Sequence, residues 1–158
     1  MPPAPMIDLT QVDLTRIELT RQQIYDQLPQ RFEFEVLDGI HCVDLESNLL
    51  IAWSDVRPDA WWCRGHLPGR PLLPGVLMIE MAAQAAAMFW KSAVKTDSFI
   101  GFGGVEECKF RDAVVPPAKL HFIVKALDIR PKRVVAACQG LIKGRVVFEA
   151  KVTGLLMA

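Results

Sequence analysis

The segment that most constrains the fold spans residues 75–93 and is apolar around nearly its whole circumference. A surface helix carries a single apolar stripe, so a helix that is apolar on every side must be covered on every side. The stretch of residues 72–90 is apolar enough to suggest a membrane span, but it contains Glu80. A carboxylate near the centre of a span costs about 2.5–3.5 kcal/mol. We therefore predict a buried helix at the centre of a globular domain.

Strand patterns lie on both sides of this helix. Turn signals at Asp38-Gly39 and Lys143-Gly144 predict hairpins. The simplest way to bury the helix is to wrap a curved antiparallel sheet around it, which predicts the α+β class. A single sheet leaves edges, so we also expect pairing with a second copy. The predicted strands cover residues 31–37, 40–45, 48–56, 99–110, 119–129, 133–142 and 145–155.

Residues 1–20 are predicted to form an N-terminal arm outside a single domain of residues 21–158. Residues 1–5 are rich in proline and are expected to be disordered. The near-repeats IDLT, VDLT and IELT alternate apolar and polar residues, which predicts short extended pieces that pack on a partner subunit. Thr20 and Gln23 have the spacing of a capping box and predict a helix over residues 21–28.

Composition excludes several classes of protein. The 18 basic and 18 acidic residues cancel, so the chain lacks the basic character of a nucleic-acid binder. The N-terminus has no basic and apolar signal pattern, and the four cysteines contain no C-x-x-C pair; both features favour free thiols in the cytoplasm. Cys63 and His66 could supply two metal ligands, but no second pair completes a site, so we predict neither metal nor cofactor.

A Pro- and Gly-rich loop over residues 59–74 leads directly into the central helix and brings three chemical elements together. His66 in the loop is a candidate general base. Glu80 lies among apolar residues, where desolvation is expected to raise the pKa of its carboxyl and make it an acid. The first free N–H groups of the helix, at Gly75 and Val76, can hold an oxyanion. Together they suit proton abstraction next to a carbonyl, followed by loss of a β-hydroxyl.

Each element also has an ordinary structural explanation. A histidine in a loop is often only a hydrogen-bonding group, and a glutamate in an apolar helix can be a subunit contact. A loop rich in proline and glycine can be purely structural. From the residues alone, a catalytic and a structural interpretation therefore both stay open.

Residues 65–84 resemble the signature of bacterial 3-hydroxyacyl-[acyl-carrier-protein] dehydratases of the FabZ/FabA type, roughly G-H-F-P-G-x-P-x-x-P-G-V-L-x-x-E-x-x-x-Q. The match is nearly complete, with Leu67 in place of Phe. Residues 28–34 resemble the L-P-H-R-Y-P-F opening of that family, with Gln30 in place of His. Residues 109–111 and 114–116 resemble its A-R-F-K and P-V-V-P-G-D segment, with Pro117 and Ala118 in place of Gly-Asp. The resemblance spans about residues 22–153.

This resemblance implies a hot-dog fold and a homodimer, often a trimer of dimers. It implies that His66 of one subunit acts with Glu80 of the other, that the Gly75 N–H holds the thioester carbonyl, and that Gln84 hydrogen-bonds within the site. Pro68 and Gly69 are expected to line the substrate site. The implied reaction converts a (3R)-3-hydroxyacyl thioester to the trans-2-enoyl thioester in fatty acid biosynthesis, because Glu rather than Asp stands at position 80.

The implied partner is an acyl carrier protein, whose acidic surface would meet a basic rim. Ordinary solvated charges explain the same residues equally well. Two alternatives to a dehydratase also stay open: a hot-dog thioesterase in which Glu80 activates water, and a non-catalytic acyl-binding subunit. The candidates for the basic rim are Lys109, Arg111, Lys125, Arg130, Lys132 and Arg133.

Overall fold

A computed structural model describes residues 3–157, and its centre is the helix α3, Gly75–Val94. Ten of the α3 residues are buried, among them Ala82, Ala85 and Phe89. The alanines let the helix approach the sheet closely, because their side chains end at the β-carbon. The helix ends at Lys95, which adopts a left-handed conformation and donates its N–H to the Lys91 carbonyl at 2.8 Å.

A seven-stranded antiparallel sheet curves around α3 in the order β1-β2-β3-β5-β6-β7-β4. Its inner face packs against the helix, with fully buried residues such as Leu50, Phe122 and Phe148. This arrangement confirms the predicted α+β architecture. The strands are β1 Leu19–Thr20, β2 Gly39–Asp44, β3 Leu49–Val56, β4 Ile100–Phe110, β5 Ala118–Arg130, β6 Arg133–Ile142 and β7 Arg145–Leu156, and the two shorter helices are α1 Arg21–Gln27 and α2 Cys63–His66.

The prediction of a strand over residues 31–37 is wrong. This segment contains a 3-10 turn, Phe32–Phe34, and Phe32 has a φ of 58°. The sequence predicted that Gly39 belongs to a hairpin turn. In the structure Gly39 is the first residue of β2, and a glycine is needed there for a different reason. A β-carbon on Gly39 would overlap the ring of Trp53, so the glycine makes room for an indole on the neighbouring strand.

The N-terminal arm packs on its own chain, and its predicted contact with a partner subunit stays a prediction. Leu9 is buried against the outer face of the sheet, beside the apolar side chains of Ile51 and Ile123. Gln139 on β6 ties the arm down, because it accepts from the Met6 N–H at 2.7 Å and donates to the Ala4 carbonyl at 3.2 Å. A 3-10 turn, Leu9–Gln11, and aspartate turns replace the extended pieces expected in the first two near-repeats, whereas the third ends in the short strand β1. The predicted disorder of residues 1–5 lies partly outside the described residues.

Two histidines lie on the outer face of the sheet, next to the arm. The imidazole of His41 stacks on the Trp53 ring at 4.3 Å and lies 5.5 Å from that of His121. His41 Nδ1 is 2.8 Å from the Arg16 carbonyl, whereas the buried Nε2 atoms of both histidines have no hydrogen-bond partner among residues 3–157. Burial lowers the pKa of both imidazoles, because the charged form is desolvated.

β4 forms one edge of the sheet and pairs only with β7 within residues 3–157. It is eleven residues long, has two register shifts, and exposes Phe102, Val105 and Phe110. A long edge strand with exposed apolar side chains can pair with a strand of another chain.

All four cysteines are free thiols, as the sequence predicted. Among the described residues, no helix is both long enough and apolar enough to cross a membrane.

Candidate active site

Glu80 lies on the wall of a cavity of about 180 Å³ between α3 and the β4–β7 edge. The Glu80 side chain is half-buried in the single chain. The cavity follows the face of α3 that carries alanines, and its opposite wall consists of residues of β4, β6 and β7 together with Phe99. Its lining is mainly apolar and includes Ala83, Ala86, Ala87, Phe99, Gly101, Phe102 and Gly154.

Gln84 holds the carboxyl of Glu80 from one helical turn away. Its Nε2 donates to Glu80 Oε1 at 2.8 Å and to the Phe34 carbonyl at 2.8 Å. The Gln84 side chain is 1% exposed, so both amide protons are used in a site closed to solvent. Residues four apart on a helix lie on the same face, which is why this pair meets. The predicted role of Gln84 within the site is compatible with this geometry and stays a prediction.

His66 is the last residue of α2 and is exposed. Its Nδ1 lies 2.8 Å from the Leu72 carbonyl. A carbonyl oxygen can only accept a hydrogen bond, so in the neutral imidazole Nδ1 carries the proton. Nε2 therefore keeps its lone pair and can act as the base. The loop thus fixes the orientation and tautomer of His66 even in the isolated chain, and its role as the base stays a prediction.

The start of α3 is closely packed against β4. Pro74 is the N-cap, and the N–H groups of Gly75 and Val76 have no preceding carbonyl within the helix to donate to. A β-carbon on Gly75 would lie 2.9 Å from the Phe110 ring, so only glycine fits there without a shift of the ring. The predicted oxyanion position therefore lies beside an exposed aromatic side chain.

Within the single chain Glu80 and Gln84 are in contact, but His66 lies outside the cavity that they line. The cavity lined by Glu80 does not include His66, Pro68 or Gly69, which lie on the exposed loop before α3. The Arg70 N–H closes a turn on the Leu67 carbonyl at 2.9 Å, and Gly69 has a φ of 77° in that turn. The roles predicted for these loop residues stay predictions.

Two residues near Glu80 received no role from the sequence. Tyr25 on α1 donates to Gln84 Oε1 at 2.6 Å. Gln30 lines the cavity, and its buried Oε1 has no partner among the described residues. Gln30 was recognisable as a departure from the family motif. Tyr25 carried no signal beyond being the one tyrosine of the chain, because only the fold brings α1 to α3.

Most of the proposed basic rim is engaged within the chain. Arg111 bonds Glu149 at 2.8 Å, and Asp128 holds both Arg130 at 3.2 Å and Arg133 at 3.4 Å. The remaining contact is Lys125 Nζ to the Ser47 carbonyl at 2.8 Å. These contacts favour the interpretation of ordinary strand-end charges for these four residues.

The fold is that of the hot-dog proteins. The structure matches the dehydratase heterocomplex ApeI:P from Xenorhabdus doucetiae with a TM-score of 0.73, at 20% identity over 85% of this chain and 91% of that one. It also matches a hypothetical thioesterase from Streptococcus pneumoniae with a TM-score of 0.58, at 10% identity over 76% of this chain and 88% of that one. At these identities the likeness defines the fold, which both kinds of protein share.

The sequence defines the family more narrowly. A FabA-like domain matches residues 28–151, and the chain belongs to that family. The 3-hydroxyacyl-[acyl-carrier-protein] dehydratase FabZ of Enterococcus faecalis is 33% identical over 138 residues, covering 85% of this chain and 95% of the relative. The FabZ of Chlamydia trachomatis is 31% identical over 139 residues, covering 86% and 91%. These relatives are hydro-lyases, and by its membership of the same family this chain is a hydro-lyase as well.

Proposed function

We propose that this protein eliminates water from a (3R)-3-hydroxyacyl thioester, carried on acyl carrier protein, to give the trans-2-enoyl thioester in fatty acid biosynthesis. The observation that carries the proposal is the carboxyl of Glu80, held by a buried amide at the wall of a mainly apolar cavity. An acid in such a place can protonate a leaving hydroxyl close to an acyl chain. The similarity to two 3-hydroxyacyl-[acyl-carrier-protein] dehydratases supports this choice of thioester.

In this reaction His66 Nε2 removes a proton from C2 of the substrate. The N–H groups of Gly75 and Val76 stabilise the negative charge that develops on the thioester oxygen. The electron pair then forms the C2–C3 double bond, and the C3–O bond breaks as Glu80 protonates the departing hydroxyl. One water is lost, and His66 and Glu80 return to their starting states by exchanging one proton with solvent.

The reaction requires two copies of the chain in this proposal. In one copy the cavity holds the acid but not the base, and the edge strand beside it, β4, exposes Phe102 and Val105. Pairing two β4 edges would cover these side chains and bring the loop of His66 towards the partner's cavity. We therefore propose a homodimer as the smallest active unit. Pro68 and Gly69 would then line the substrate entrance.

Incubation with crotonyl thioester separates the dehydratase from its alternatives, because the reaction is reversible. A dehydratase hydrates crotonyl thioester to 3-hydroxybutyryl thioester, whereas a thioesterase releases free thiol. His66→Ala and Glu80→Gln should each lower hydration by about 100-fold or more. Release of thiol without hydration would favour the thioesterase. Inactivity of the wild type on thioesters of both carrier protein and coenzyme A would contradict the proposal.

The pH dependence gives a second test of the pair. A base that must be neutral and an acid that must be protonated produce a bell-shaped profile of kcat/KM. Each single variant should lose one limb of the bell in its residual activity. A wild-type profile that is flat from about pH 5 to 9 would contradict acid–base catalysis by these two groups.

A further inference from the structure

A buried tyrosine lies two hydrogen bonds from the carboxyl of Glu80. Tyr25 is 4% exposed, and its hydroxyl donates to Gln84 Oε1 at 2.6 Å and accepts from the Leu37 N–H at 2.9 Å. Burial raises the pKa of the Tyr25 phenol, so its proton is retained throughout the working range of pH. α1 holds this ring in place through a complete capping box at Thr20 and Gln23.

The direction of every proton in this chain of hydrogen bonds is set by the backbone. The Leu37 N–H can only donate, so the Tyr25 oxygen must accept there and must use its single proton on Gln84 Oε1. The Phe34 carbonyl can only accept, so it faces the Gln84 amide nitrogen at 2.8 Å. A flipped amide would place its oxygen against two acceptors, the Phe34 carbonyl and the Glu80 carboxyl.

The fixed amide determines which oxygen of Glu80 can carry the reacting proton. Glu80 Oε1 accepts an N–H from Gln84 at 2.8 Å. A proton on Oε1 would point at that donor, so the neutral acid carries its proton on Oε2. Oε2 is then the oxygen that delivers the proton to a leaving hydroxyl.

We propose that Tyr25 is a positioning residue of the dehydratase site, whose hydroxyl locks the Gln84 amide so that Glu80 Oε2 is reserved for proton transfer. The inference rests on the proposed function and assigns Tyr25 no contact with substrate. It also gives a role to the 3-10 turn Phe32–Phe34, because that turn places the Phe34 carbonyl against Gln84. The residues that support the acid thus come from α1, the turn and α3.

Tyr25→Phe tests this role, since it removes one oxygen and keeps the ring. We expect kcat for crotonyl thioester hydration to fall about 10-fold with KM within about twofold, because the acid is misdirected while the binding surface is unchanged. We also expect the alkaline limb of the kcat/KM profile to move to higher pH. Without the Tyr25 hydroxyl the Gln84 amide has lost one of its three contacts and donates less firmly to Glu80, and a weaker donated hydrogen bond disfavours the carboxylate.

Ser54→Ala is the matched control. The Ser54 hydroxyl is 1% exposed and donates to the Val36 carbonyl at 2.6 Å, so its loss removes a buried hydrogen bond to the same segment without touching Gln84. Ser54→Ala should lower the melting temperature by an amount similar to Tyr25→Phe and leave kcat and the pH profile unchanged. Equal losses of kcat in both variants would show that Tyr25 is only structural and would overturn the proposal.

A double variant keeps the proposal testable if Tyr25→Phe is too unstable to assay by itself. Tyr25 acts through Gln84, so adding Tyr25→Phe to Gln84→Leu should have no further effect on kcat, whereas independent roles would give multiplied losses. The role of Tyr25 is overturned if the two losses of kcat multiply, or if Tyr25→Phe keeps the wild-type pH profile of kcat/KM. Either result leaves the proposed function intact. A wild type that neither hydrates nor dehydrates acyl thioesters overturns both.

Discussion

The histidine pair on the outer face of the sheet should make the fold sensitive to mild acid. The pKa of His121 is lowered from 6.5 to about 4, first by burial and then by the charges of the neighbouring His41 and Lys119, against a smaller opposite effect of Asp55. Between about pH 6.5 and pH 4, His121 therefore binds a proton in the unfolded chain but not in the folded chain. The stabilisation is fully present above about pH 6.5 and is lost as pH falls from 6.5 towards 4.

The size of the effect follows from the two pKa values of His121. Linkage gives a loss of about 2 kcal/mol in the free energy of unfolding between about pH 7.5 and pH 5. His121 is only half-buried, and screening by solvent reduces this to about 1 kcal/mol. His41 acts in the same direction, because burial also lowers its pKa while its hydrogen bond to Arg16 and the charge of Asp13 oppose that change. The aspartates with lowered pKa values titrate below this window.

Urea unfolding at both pH values, at one protein concentration and ionic strength, measures this loss. His121→Gln should lose about 1 kcal/mol less than the wild type over the interval. Ser54→Ala is destabilised at both pH values but carries no titrating group, so it should lose as much as the wild type. The reasoning is refuted if His121→Gln and the wild type lose stability equally between the two pH values.

Three further predictions concern the candidate site. Gly75→Ala should lower the free energy of unfolding in urea by about 1–3 kcal/mol, because its β-carbon would meet the Phe110 ring. Adding Phe110→Leu to Gly75→Ala should recover part of this loss. Ala87→Leu fills the cavity and should lower kcat/KM for long acyl thioesters about 10-fold relative to crotonyl thioester; an equal loss for both would contradict an acyl site there. Mixed and reassociated His66→Ala and Glu80→Gln subunits should recover about a quarter of wild-type activity, because half of the dimers then contain one intact site; no recovery would contradict a shared site.

The central helix and the strands after it could be predicted from the sequence because their signals are local and strong. The apolar segment predicted a helix over residues 75–93, and α3 is Gly75–Val94. The predicted strand over residues 133–142 coincides with β6, Arg133–Ile142, because Arg130-Pro131 and Lys143-Gly144 punctuate it clearly.

The errors occur where distant contacts override a local pattern. Residues 31–37 alternate like a strand, but the Phe34 carbonyl is bound by Gln84, fifty positions away, and the segment turns. The arm alternates too, yet its apolar residues reach the outer face of the sheet in the same chain. Tyr25 could not be recognised because its partners are Gln84 and Leu37, which only the folded chain brings to it.

The arm makes the sheet the middle layer of three. With α3 on one side and Leu9 with its neighbours on the other, the parts of β5 and β6 around Ile123 and Leu141 are shielded from water on both faces. This double covering explains why residues 134–142 are so rich in apolar side chains instead of alternating strictly. A chain shortened at its N-terminus would expose a hydrophobic convex surface at Ile51 and Ile123. Such chains would aggregate through that surface, in competition with any ordered pairing at β4.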